Sequence, residues 1–164
     1  MNNSVEKYFG AEKAESALFI AVGLVAIIWA VYYFTKVKQP YYNGMSYAFI
    51  AVALIQITVG GSVYVRSSKD ILRVNDMLKT NHERIAKEEI PRMKVVMTNF
   101  VWYRWIEIIL LAGGLFLYFY MQPLSIWKGL GLGLAIQSAI MLLLDFFAEG
   151  RGKTYLEFLY QQIN

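Results

Sequence analysis

Four stretches of the chain are almost free of polar residues, and the intervals between them are crowded with charge. Residues 17–34 (ALFIAVGLVAIIWAVYYF) and 45–65 (MSYAFIAVALIQITVGGSVYV) contain no Asp, Glu, Lys or Arg. Residues 105–121 and 124–144 have the same character, with Glu107 and Lys128 as their charged exceptions. A helix on the surface of a soluble protein would show polar positions recurring every three or four residues, and these blocks lack such a stripe. Roughly 20 apolar residues at 1.5 Å each cross a hydrocarbon layer of about 30 Å. The pattern predicts an all-α integral membrane protein, a four-transmembrane-helix bundle forming a single membrane domain over 1–164. The spans are expected at about 16–35, 45–66, 98–121 and 124–147.

The interval 67–96 is polar yet patterned: Ile71, Val74, Leu78 and Ile85 recur at helical spacing. One unbroken helix from the second span to Glu89 would end about 30 Å beyond the membrane, with too few residues left to return. Two short helices are therefore expected, about 68–79 and 81–90, either as a hairpin or lying along the headgroups. Thr80-Asn81-His82-Glu83 fits a capping box that restarts the chain, and Pro91 suits the first turn of the helix leading into the third span. The tail, 150–164, reads as a short amphipathic helix with Tyr155, Leu159 and Ile163 on its apolar side, lying against the membrane surface. The segment before residue 17 lacks a basic leader, and Tyr32-Tyr33-Phe34-Thr35 makes a poor cleavage site, so the first block is expected to be retained.

Composition and charge sharpen this picture. The chain is 57% hydrophobic, above the roughly 45–50% of ordinary soluble domains. Its net charge of +4 comes from 16 Lys and Arg against 12 Asp and Glu, and the basic residues gather in 66–94 and near the two termini. By the positive-inside bias, both termini and the central segment face the cytoplasm, and a bacterial cytoplasmic (inner) membrane is the expected location. Acidic residues interleave with the basic ones in 67–96, which argues against nucleic acid as a partner. The absence of Cys removes disulfides, thiolate metal sites and cysteine nucleophiles. One histidine, His82, fits no diagnostic metal-ligand set. Gly152-Lys153-Thr154 looks like the end of a phosphate-binding loop, but the glycine such a loop needs five positions before Gly152 is Phe147. No catalytic set, metal or cofactor is expected.

Counting along each span places one ionisable residue at the same depth on all four. Glu15, Arg66, Arg104 and Asp145 each fall about 27–30 Å from the outer boundary. Glu107 and Glu149 lie one turn from Arg104 and Asp145. Glu107 sits inside the boundary and is too short to reach the headgroups, so it must be protonated, paired or facing water. An interhelical ion pair between Arg104 and Asp145 is the expected arrangement, with Glu107 beside it. Small residues, among them Gly60, Gly61, Gly113, Gly114, Gly129, Gly131 and Gly133, offer faces for close helix approach. Gln56 and Gln137, nearer mid-membrane, are expected to hydrogen-bond across helices. The functional expectation is a binding, structural or auxiliary membrane subunit, working with lipid and with a second copy or a partner membrane protein. The alternative is a small ion- or proton-coupled transporter or channel subunit built on Glu107, Arg104 and Asp145. An enzyme acting on inner-leaflet lipid is a weaker third reading.

Overall fold

The computed structural model describes residues 3–80 and 82–163. Among these there is no strand, and four long helices are apolar enough to cross a membrane. Helix α1 runs Asn3–Tyr32 and α2 runs Pro40–Thr80. A three-residue turn of helix, α3 (His82–Arg84), leads through a wide turn into α4 (Ile90–Tyr120), and α5 spans Ile126–Gln161. Each long helix runs well past its apolar block. The 41 residues of α2 measure about 60 Å, twice the thickness of a hydrocarbon layer.

The ends of the helices have local causes. The last turn of α1 widens into a π turn, Tyr33–Val37, closed by the Lys38 amide donating to the Tyr33 carbonyl at 2.9 Å, with Lys38 in the left-handed region (φ 52°). Pro40 then starts α2, where its missing N–H is no loss. At α5 the Ser125 hydroxyl accepts from the Lys128 amide at 3.2 Å, capping the helix.

Of the two arrangements expected between the second and third apolar blocks, the chain takes the hairpin, but its segments are continuous with the long helices. The predicted helix 68–79 is the uninterrupted end of α2, and 82–89 runs directly into α4, so the two form a helical hairpin. Of the predicted capping box, Asn81 lies outside the described residues, while the Thr80 hydroxyl donates back to the Asp76 carbonyl at 2.7 Å. Pro91 is at the start of α4 as expected, but helix already precedes it. A π turn over Ile85–Glu89 carries the chain into the proline, which can neither donate to the previous turn nor tolerate its carbonyl. The tail is likewise corrected. Residues 150–161 continue α5, and Tyr155 and Leu159 are buried in a core instead of lying on a membrane surface.

That core joins the four long helices and the Ile85–Glu89 turn at the end of the bundle that holds both termini, the terminal end. Val5 and Phe9 of α1, Val74 and Met77 of α2, Ile85, Met93 of α4, and Leu159 of α5 are all fully buried. Tyr8 stacks on Tyr155 with centroids 4.1 Å apart and planes within 5°. Towards the far end the helices meet through small residues. A Cβ on Gly114 would lie 2.7 Å from the Gly131 carbonyl oxygen, and one on Gly131 would lie 2.6 Å from that of Gly114. Gly44 of α2 and Gly129 of α5 are pressed against each other's helix backbone in the same way. Gly61 and Gly113 face open space. Packing is chiefly a series, α1 on α2, α2 on α5 and α5 on α4, with α1 also meeting α5 at the terminal end.

Candidate functional site

Side chains on an α-helix lean towards its N-terminus. Helices α1 and α4 begin at the terminal end, whereas α2 and α5 begin at the far end. This opposite lean decides which charges meet. Arg104 of α4 leans towards the terminal end and pairs with Glu149 of α5 at 3.0 Å, not with Asp145. Asp145 leans the other way, deeper into the apolar zone, where it stands beside Glu107 at one small cavity. The expected Arg104–Asp145 pair is thus replaced by an ion pair and a juxtaposition of two acids. The same displacement holds elsewhere in the layer. Glu15 pairs with Arg151, and Arg66 pairs with Glu12 at 3.4 Å and Asp70 at 3.2 Å. Each predicted layer residue is therefore matched with a residue at a different depth.

Glu107 is 1% exposed, and among the described residues no Lys or Arg forms an ion pair with it or with Asp145. Neither oxygen of the Glu107 carboxyl has a hydrogen-bond partner. The pair borders a small cavity of about 70 Å³ between α4 and α5, lined also by Phe100, Arg104, Leu142, Phe146 and Glu149. Ser138, two turns farther along the same stripe of α5, is fully buried with no hydrogen-bond partner for its hydroxyl. Gln56 and Gln137 are buried, yet neither amide finds the expected partner across the helices. The apolar half of the bundle thus holds four polar side chains whose hydrogen-bonding capacity the fold leaves open.

A second polar assembly lies at the terminal end. Glu89, fully buried, accepts from Arg73 at 2.8 Å, from Arg92 through two bonds at 2.6 and 2.9 Å, and from the Tyr155 hydroxyl at 3.2 Å. Asp70 stands beside it, 3.0 Å from Arg73 and 4.0 Å from Arg92. The Arg92 guanidinium lies 5.7 Å from the centre of the Phe9 ring. Burial alone would lower the Arg92 pKa, but the Glu89 carboxylate bound to it holds it above its ordinary value. Burial raises the phenol of Tyr155, helped by the adjacent Glu89 charge, and so keeps it a hydrogen-bond donor. Burial likewise raises the Tyr8 phenol, which donates to the Met93 sulfur at 3.8 Å. None of Asp70, Arg73, Glu89 and Arg92 stood out in the sequence, where they are four charges in a charge-rich interval. Only the fold removes them from water.

Beside the Arg104–Glu149 pair opens a groove of about 700 Å³ along α5, between α1 and α4. Four cations line it: Lys7, Arg104, Arg151 and Lys153. Glu149 is held below its ordinary range, first by its hydrogen bond from Lys153 at 2.8 Å and then, against the opposing effect of burial, by Arg104. No group of three or more metal-ligating side chains occurs among the described residues. Comparison with family models, curated proteins and solved structures finds no match to this chain.

Proposed function

We propose that the protein is a small membrane-embedded binding or auxiliary subunit, with both termini and the 67–96 hairpin on the cytoplasmic side of a bacterial inner membrane. The observation that carries the reading is the series of helices and its apolar outer faces. The four apolar segments pack chiefly as α1–α2–α5–α4, and α1 and α4 present broad apolar faces outward. Trp29 and Leu24 on α1, and Trp105, Ile109 and Phe119 on α4, are about half exposed or more. Such faces suit lipid, a second copy or the helix of a partner protein.

Two measurements test this. Cysteines introduced at Gln39 and Thr80 should react with an impermeant reagent from opposite sides of intact cells, Gln39 from outside. Gentle solubilisation followed by mass measurement should yield an assembly larger than the single chain. A strictly monomeric protein with no co-purifying partner would count against the auxiliary role.

The Glu107–Asp145 contact supports a second reading, a proton-coupled membrane subunit. A carboxyl buried beside another acid inside an apolar zone is a means of taking up and releasing charge. Reconstituted vesicles should then show a pH-dependent proton or cation flux that Glu107→Gln abolishes while the variant stays folded. No flux in wild type removes this reading.

A further inference from the structure

The groove along α5 combines features that neither half of the bundle has alone. Its cationic lining sits at the level where the apolar zone ends, marked by Arg104 and Glu149. Four cations face it, while two carboxylates offset them: Glu149, which binds Arg104 and Lys153, and Glu15, which binds Arg151. That leaves an excess of two positive charges. Lys7 is exposed and Lys153, though exposed, is held by Glu149 at 2.8 Å, so it is the Lys7 ammonium that is free to move onto a ligand. On the side of the apolar zone the lining is aromatic, with Phe146 68% and Phe147 54% exposed. A compact soluble anion would use the cations and leave the phenyl rings unmatched. A soluble apolar ligand would do the reverse. The volume, about 700 Å³, is in the range of ligand-binding clefts.

We infer that this groove binds one anionic phospholipid, its phosphate among Lys7, Arg104, Arg151 and Lys153 and the first carbons of its acyl chains against Phe146 and Phe147. The inference rests on the membrane reading above, and it names the ligand of the binding role. Basic pockets between helices at the cytoplasmic boundary are the sort of place where acidic headgroups are held. The electrostatic part of that attraction is worth about 1 kcal/mol per basic residue near the surface, a factor of about five in affinity. The ion pairs already present serve the site, because Glu149 and Glu15 hold three of the four cations in place before a ligand arrives.

The test uses the full chain reconstituted in vesicles of phosphatidylcholine with a minor fraction of phosphatidylglycerol, then extracted mildly and weighed with its retained lipid by native mass spectrometry. One phosphatidylglycerol should be retained per chain, enriched at least tenfold over its share of the vesicle. Lys7→Gln and Lys153→Gln should each reduce that enrichment about fivefold. Lys36→Gln and Lys38→Gln, at the opposite end of the bundle, should leave it unchanged. Retention in proportion to vesicle composition, or enrichment indifferent to Lys7→Gln and Lys153→Gln, would overturn the inference. So would release of the lipid by millimolar inorganic phosphate, which would identify a soluble-anion site. Failure of the protein to enter phosphatidylcholine vesicles at all would instead overturn the membrane reading beneath it.

Discussion

Two glutamates, equally buried and 18 positions apart, live in opposite company. Glu89 at the terminal end is fully buried and surrounded by two arginines and a tyrosine hydroxyl. Glu107 in the apolar half is 1% exposed and faces another acid. Taking a carboxylate out of water costs several kcal/mol, and only well-placed donors offset that cost. The terminal end supplies them. The apolar half does not: the Glu107 oxygens have no hydrogen-bond partner, and among the described residues no Lys or Arg pairs with them. Burial therefore does not tell what a charged side chain is for. In one region it marks a network that fixes the geometry of five helical segments. In the other it marks a carboxyl buried beside another acid with no donor to satisfy it.

The sharpest way to break this contrast is to remove each acid in turn. Glu89→Ala leaves Arg73 and Arg92 without their main partner and strips the Tyr155 hydroxyl of its acceptor. Breaking a buried pair from one side costs about 3–5 kcal/mol, so thermal or denaturant melts of the purified protein should show the largest loss here. A change under about 1 kcal/mol would mean that the network is wet and contributes little.

Close packing gives the next effect. Gly131→Val should force α4 and α5 apart at their contact with Gly114 and cost about 1–3 kcal/mol or more. Gly113→Val, whose added atoms would meet open space, should be close to neutral. Equal losses at the two sites would place the helix contact elsewhere.

Glu107→Gln should behave unlike Glu89→Ala. An amide can hydrogen-bond to Asp145 without a shared proton, so the change should move stability by no more than about 1 kcal/mol. A loss as large as that of Glu89→Ala would show that Glu107 is a paired structural ion after all, and the distinction between the two regions would collapse.

How much of this the chain discloses in advance depends on the physics at each place. The four apolar blocks are legible because a helix long and apolar enough to cross a membrane is a continuous run, a signal carried by neighbours in sequence. Where the helices stop is not. The extension of α2 to Thr80 and of α5 to Gln161 is held by packing among Phe9, Met77, Ile85 and Leu159, contacts between residues up to 150 positions apart. Glycines such as Gly60 and Gly61 are visible as a pair, but which of them meets the neighbouring helix depends on rotation about the axis. Counting depth by rise per residue located Arg104, Glu107, Asp145 and Glu149 in one region and still mispaired them, because the lean of side chains towards each helix N-terminus shifts antiparallel partners by about a turn. The groove along α5 had no local signal at all, since Lys7, Arg104 and Lys153 converge only in the folded bundle.

The corrected pairing carries the smallest effect and the finest test. Arg104 is 40% exposed at its side chain and Glu149 10%, so solvent screens their attraction and the coupling should be about 0.5–1 kcal/mol. In a double-substitution cycle, Arg104→Gln with Glu149→Gln should show that coupling, whereas Arg104→Gln with Asp145→Asn should be additive. The sign of its pH dependence follows from Glu149. Its carboxyl is lowered from an ordinary value of 4.5, first by Lys153 and then by Arg104. A depressed acid contributes stability that is fully present above the unfolded-state value and disappears as pH falls through the folded-state value. The coupling with Arg104 should therefore be constant from neutrality down to about pH 5 and fade only below it. Coupling that appears between Arg104 and Asp145 instead, or that strengthens on acidification, would restore the ion pair expected from depth alone and remove the acid–acid contact on which the contrast rests.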